Sequence, residues 1–153
     1  MADKSLIDET DKKILYYLSR NARMPFLEIA RECGISGAAI HQRVKKLEDN
    51  GVIEGSRFIV KPQALNLKVC AYVGVQLAKA DRLSAVIEEL GNIKEVVECH
   101  FITGKYALLV KVFCKDNEKL MEILVNTFQN IDGVSSTETF ISLDQAIDRQ
   151  IEI

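Results

Sequence analysis

The 153-residue sequence predicts an α+β protein, a small helical head followed by a four-stranded antiparallel sheet with two helices on one face. Three observations predict it. Residues 23 to 51 spell two short helices joined by a tight turn. Beyond residue 67 extended runs and helical stripes follow in the order βαββαβ. Between them, Lys61-Pro62-Gln63-Ala64-Leu65-Asn66-Leu67 carries the second of the chain's two prolines and no strong period. The expected organisation is a first domain over 1–60, a linker over 61–67 and a second domain over 68–153.

Asp8 can cap the first helix, with Asp11 three positions on as a short-chain capping box, and Ile14, Leu15 and Leu18 give it an inward face. The second helix opens at Pro25, where a missing N–H costs nothing, and Phe26, Ile29, Ala30 and Cys33 form the stripe of a half-buried helix. Gly34 stops it. Ile35 can plug the core, and Ser36 can accept from an orphan N–H as N-cap of a third helix that begins near Gly37 and ends at Gly51. Ile40, Val44 and Leu47 turn inward, leaving Ala38, Ala39, His41, Gln42, Lys45, Lys46 and Asp49 outward and Arg43 at the margin. Val52 to Val60 then gives two extended runs about Gly55-Ser56, which reads as a β-hairpin with Arg57 near its tip. Three helices with a hairpin behind the last make a winged helix-turn-helix.

That arrangement points to double-stranded DNA. Ala38 and Ala39 would let the third helix approach groove edges closely, Gln42 or His41 can bond a base, Lys45 and Lys46 can meet phosphate, and Arg57 can touch a phosphate or the minor groove; Ser36 and Arg43 complete the candidate DNA-binding set. Residues 14 to 47 hold the bases Arg20, Arg23, Arg31, Arg43, Lys45 and Lys46 against the acids Glu28 and Glu32, in a chain whose net charge is −2. A basic patch on an acidic protein is the footprint of a DNA-facing surface. A solvated helix face with ordinary lysines gives the same pattern, and a plain surface arginine fits position 57 equally well.

In the second half, Val69 to Leu77 alternates as a strand, and Leu83, Val86, Ile87 and Leu90 form a helical stripe. Val96 to Thr103 and Ala107 to Phe113 are extended about the turn Gly104-Lys105. Leu120, Ile123, Leu124, Phe128 and Ile131 form a second stripe, and Val134 to Leu143 is extended again. This is the ferredoxin-like plan, both helices on one sheet face. The other face would show Cys70, Tyr72, Gly74 and Gln76 beside Ala107, Leu109, Lys111 and Phe113, a surface with one charge. Burial against a second copy of the chain would cover it.

Composition leaves little room for other classes. With 48% hydrophobic and 27% charged residues the chain reads as an ordinary soluble protein, and no apolar run approaches a membrane span. The start, Met-Ala-Asp-Lys-Ser, lacks the apolar core of a secretion signal, so a cytoplasmic location is expected. Cys33, Cys70, Cys99 and Cys114 form no CxxC pair and fall inside predicted helices or strands, against both a disulfide framework and a metal site. Cys99 and His100 are adjacent on a strand and point to opposite faces, which rules against a nucleophile–base pair. No phosphate loop or nucleophile elbow is present, and neither an enzyme nor a cofactor is expected.

The wording of the chain adds to this reading. Leu6-Ile7-Asp8 with Asp11 and Ile14-Leu15, Asn21-Ala22-Arg23, Glu28-Ile29-Ala30, Gly34-Ile35-Ser36, Arg43-Val44-Lys45-Lys46-Leu47-Glu48, Gly51-Val52-Ile53 with Gly55, Thr103-Gly104 and Ser136-Thr137-Glu138-Thr139 follow one another at fixed spacing. Together they resemble the Lrp/AsnC (feast/famine) family of transcription regulators, and Ala107 with the segments Asn126-Thr127-Phe128-Gln129-Asn130-Ile131-Asp132 and Ser136-Thr137-Glu138-Thr139-Phe140-Ile141-Ser142-Leu143 looks like its asparagine-responsive branch. The resemblance implies dimers through the second domain, commonly assembled into octamers, and an amino acid bound between dimers near Thr103-Gly104-Lys105-Tyr106. Many relatives have Asp after the aromatic where this chain has Ala107. Thr103 and Gly104 offer a hydroxyl and close-approaching backbone groups to a zwitterion. By the resemblance Phe101, Tyr106 and Gln129 lie near the ligand.

The expected function is therefore a sequence-specific DNA-binding transcriptional regulator that responds to a small amino acid such as asparagine. Two alternatives remain open from sequence: an architectural DNA-compacting protein, and a metabolite-binding domain that does not bind DNA.

Overall fold

The computed structural model describes residues 7–153; the initial Met-Ala-Asp-Lys-Ser and Leu6 of the first family motif lie outside the described residues. The chain divides into two compact units, Met1–Ile59 with Ile147–Ile153 and Val60–Ala146. The segment Ile147–Ile153, expected in the second domain, thus groups with the first unit.

The first unit contains α1 (Glu9–Arg20), α2 (Phe26–Cys33) and α3 (Gly37–Asp49). Asp8 and Asp11 form the capping box of α1: the Asp8 carboxylate accepts the Asp11 N–H at 2.8 Å, and Asp11 accepts the Asp8 N–H at 3.1 Å. Pro25 stands one place before α2, at its N-cap. Gly34 ends α2 in the left-handed region at φ 66°, and Ser36 caps α3 by accepting the Ala39 N–H at 3.2 Å. Ile14, Ile29, Ala30, Ile40, Val44 and Leu47 are buried together, with Ile35 packed against them as the expected plug.

The hairpin expected over Val52 to Val60 does not form: these residues carry no strand pairing, and Phe58, Ile59 and Val60 are 72%, 84% and 56% exposed. A two-stranded ribbon with no apolar face to bury is marginal in water. The segment has another partner instead, since the Arg23 guanidinium lies 4.4 Å from the Phe58 ring centre.

The second unit contains β1 (Val69–Leu77), α4 (Leu83–Gly91), β2 (Val96–Phe101), β3 (Leu108–Cys114), α5 (Asn117–Asn126) and β4 (Val134–Ser142), the predicted βαββαβ order. The antiparallel sheet runs β2-β3-β1-β4. Ala71, Val73 and Val75 of β1 and Leu108, Val110, Val112 and Cys114 of β3 pack with Val86, Leu90, Leu120, Ile123, Phe128 and Ile131. The second helical stripe is broken: α5 stops at Asn126, Thr127 leaves the helical region, and Phe128–Asn130 is a separate 3-10 turn.

Register fills in the other sheet face. It aligns Tyr72 with Lys111 and Phe140, Gly74 with Leu109 and Glu138, and Lys111 with Glu98. The outer strands therefore add Glu98, His100 and Glu138 to a face read from two strands as carrying one charge. Lys111 answers one of them, bonding Glu98 at 3.1 Å. Cys99 pairs with Val110 on the core side while His100 stands with Leu109 on the open side, which separates them as expected. Among the described residues no helix is long and apolar enough to cross a membrane, and no cluster of His, Cys, Asp and Glu has metal-holding geometry.

Candidate DNA-reading helix and effector cleft

The buried stripe of α3 turns its other residues outward: Ala38, His41, Gln42, Lys45 and Lys46 are exposed and Ala39 is partly so. Gln42, Lys45 and Lys46 make no hydrogen bond or ion pair among the described residues and stand clear for a ligand. The Ser36 oxygen is engaged in the cap, leaving its hydroxyl hydrogen to donate. His41 sets its ring edge-on to Phe26 with centres 4.9 Å apart, which fixes the imidazole against α2. Arg57 is exposed on the segment that forms no hairpin, so no wing tip presents it.

Arg43 is engaged within the fold. Its guanidinium bonds Asp8 at 2.7 Å and Asp11 at 2.8 Å, clamping α3 onto the capping box of α1. The Asp11 backbone N–H and Arg43 hold the Asp8 carboxyl below its usual range, and the two acids raise the arginine in turn. Arg43 therefore ties α3 to α1, a structural role that its place at the helix margin did not announce. Arg20 stacks on Tyr16 at 3.5 Å and Arg23 on Phe58, so the free part of the basic patch is narrower than the charge count suggested. Arg43→Met should cost about 1–3 kcal/mol, because Asp11 is 3% exposed and its buried carboxylate keeps the Asp8 N–H but loses its charged donor. DNA affinity measured well below the melting temperature should be unchanged. A folded variant whose salt slope falls by about one unit would return Arg43 to phosphate binding.

In the second unit the loop between β2 and β3 closes on itself and on the sheet. The Ile102 N–H donates to the Ala107 carbonyl and the Ala107 N–H to that of Val75, both at 3.0 Å. A cleft of about 420 Å³ opens there, lined by Gln76, Leu77, Ala80, Leu83, Phe101, Ile102, Gly104, Lys105, Tyr106, Ala107 and Ser135. It brings together Phe101, Gly104 and Tyr106 of the expected effector residues. Thr103 is exposed beside it but does not line it, and Gln129 does not reach it within one chain. Gln129 sits exposed on the 3-10 turn whose neighbour Phe128 is buried, so the turn anchors one side chain and points the next to solvent. A larger cleft, about 610 Å³, lies at the opposite end of the sheet. Its lysines are answered by adjacent acids, Lys119 by Glu122 at 3.0 Å and Lys115 by Asp116 at 3.7 Å, and the loop residues play no part in it.

Gly104 adopts φ 118°, and a Cβ there would meet nothing within 4 Å. A side chain is excluded by the backbone conformation, not by crowding. Gly74 is the opposite case: a Cβ on it would stand 2.6 Å from Cγ of Tyr106, whose ring lies flat across that strand position. An isolated glycine inside a strand is the sequence signal of such a close approach, and it went unread. Gln76, Ser136 and Glu138, which complete the surroundings of the loop, were also missed as site residues.

A winged helix-turn-helix DNA-binding profile fits residues 7–54, and the Lrp/AsnC ligand binding domain profile fits residues 70–151. The chain belongs to the Lrp/AsnC family. It is 38% identical to the regulatory protein AsnC of Haemophilus influenzae over 95% of this chain and 97% of that protein. It is 36% identical to the regulator LrpA of Pyrococcus horikoshii over 92% of this chain and 99% of that one. Its fold matches the structure of Escherichia coli AsnC with a TM-score of 0.89 at 37% identity, covering 95% and 97% of the two chains. It also matches a Neisseria meningitidis transcriptional regulator in complex with L-Met, with a TM-score of 0.88 at 26% identity, covering 94% of each chain. Like its Lrp/AsnC relatives, the protein is a transcriptional regulator with a DNA-binding and a ligand-binding domain, not an enzyme.

Proposed function

We propose that this regulator reads a specific DNA site with α3 and answers to a small, uncharged amino acid of the asparagine type bound at the 420 Å³ cleft. The observation that carries the DNA half is the uncommitted outward face of α3. Gln42 has an amide able to bond an adenine edge bidentately, and Lys45 and Lys46 stand one turn on where phosphate would lie. The chain acts as a homodimer closed over the open sheet face, where Tyr72, Leu109, Phe113 and Phe140 supply apolar area, and dimers assemble to an octamer. Its place is the cytoplasm, with DNA.

Paired recognition helices require a pseudo-palindromic site with half-sites about one helical turn, or a multiple, apart. Gln42→Ala should weaken binding to that site by roughly 1–3 kcal/mol and leave random DNA alone, whereas Lys45→Ala should weaken both and lower the salt slope by about one unit. Titrations on specific and random duplexes with footprinting check both. Equal losses for Gln42→Ala on the two duplexes would favour an architectural DNA-compacting protein, and an asymmetric footprint would argue against the dimer.

The amino-acid half is supported by the cleft's composition and by the L-Met bound to the Neisseria relative. Gly104→Val, forced out of φ 118°, should displace the loop and lose effector binding by at least about tenfold while circular dichroism stays native. Calorimetric titration of amino acids decides it, and wild-type affinity in a folded Gly104→Val would move the site elsewhere. Gln129 joins this site only from another chain of the assembly.

A further inference from the structure

Among the described residues that line the cleft, Lys105 is the only charged one. It bonds Glu138 of β4, and the Tyr106 hydroxyl donates to the same carboxylate oxygen. The Tyr106 ring rests on Gly74 and meets Phe140 edge-on at 6.4 Å. The Lys105 carbonyl accepts from the Gln76 amide at 3.2 Å, whose oxygen accepts from the Ser136 hydroxyl at 2.7 Å. An exposed ion pair holds little by itself. Here the pair acts together with a ring seated on bare backbone and a side-chain relay across β1 and β4, all on two consecutive residues of one loop.

We infer that Glu138 is a positioning residue for the effector: it pins Lys105 and Tyr106 to the sheet and leaves the cleft without a free cation, so that a neutral amino acid is taken over an acidic one. This rests on the cleft being the effector site. With Lys105 paired, the extra carboxylate of an acidic ligand meets no free positive charge there and adds to the negative charge of Glu138. The Glu138 carboxyl, held below its ordinary range by hydrogen bonds from Lys105 and Tyr106, stays ionised at neutral pH and keeps the lysine occupied.

The test uses the full chain as wild type, Glu138→Gln and Glu138→Ala, with Glu118→Ala on α5 as control. Asparagine and aspartate are titrated by calorimetry, and tryptic cleavage after Lys105 is timed without ligand. Wild type and control should prefer asparagine. Glu138→Gln, whose amide oxygen still accepts from Tyr106, should keep a slow cleavage rate yet shift the ratio toward aspartate by about tenfold, close to the value of one water-screened contact between unit charges. Glu138→Ala should shift the ratio similarly and be cleaved several-fold faster. An unchanged ratio in both variants, or wild-type cleavage of Glu138→Ala, overturns the inference. If wild type binds neither amino acid, the effector reading fails and takes the charge selection with it, while the cleavage rates still decide whether Glu138 holds the loop.

Discussion

Phe128→Ala should destabilise the ligand-binding unit by about 3–5 kcal/mol, the range for emptying a buried phenylalanine site. Among the described residues Phe128 is the largest fully buried side chain, at 0% exposure, and it belongs to one core cluster with Ile123, Ile131 and the β1 and β3 valines. The residue sits on a 3-10 turn between α5 and β4, so its loss also frees the turn that carries Gln129. Urea denaturation, with hydrogen exchange of the β1 and β3 amides reporting on this unit, measures the effect. A loss below about 1 kcal/mol would mean that the short turn collapses into the space, which a helix interior does less readily.

Ile40→Ala should abolish DNA binding near 37 °C although Ile40 faces away from any groove. Its side chain is completely buried among Ile14, Ile29, Ala30, Val44 and Leu47, a core small enough that about 2–5 kcal/mol is much of what holds the unit. Stability curves peak at roughly 10–20 °C, so binding should return on cooling toward that range. A residue that touched DNA would lose affinity at every temperature. Permanent loss in a variant with a native circular dichroism spectrum would contradict the core assignment and put Ile40 at the interface.

Where local chemistry decides, the sequence was a sufficient guide. The alternation from Val69 to Leu77 and the glycine and serine around α2 and α3 marked those boundaries because strand period and cap chemistry are properties of neighbouring residues. Distance in sequence hid the rest. Arg43 reads as a free base until the fold brings it to Asp8 and Asp11, 35 and 32 residues away. The break at Thr127 was invisible because a 3-10 turn repeats about every third residue, so Phe128 and Ile131 continue the stripe of α5 without continuing its helix. The open sheet face looked less charged than it is because it was read from β1 and β3 alone, while Glu98 and Glu138 enter it from the outer strands, Glu138 through pairing with β1, which is remote from it in sequence. The wing was read from extended text alone, and extended text does not by itself supply a partner strand. The family resemblance pointed to the loop that borders the 420 Å³ cleft, while Glu138 emerged only when the side chains around that loop were placed.

The position of β1 in the sheet has a consequence for how the chain is made. It is the first strand synthesised, yet it lies between β3 and β4, which come off the ribosome later and last. Until Val134–Ser142 emerges, one edge of an apolar strand with Val73 and Val75 stays open, and every partner it awaits is far along the chain. The ligand-binding unit is therefore completed in a single late step. A pause or truncation before residue 134 leaves that edge ready to pair with the same strand of another nascent chain, so crowded polysomes are where this protein is most exposed to misassembly.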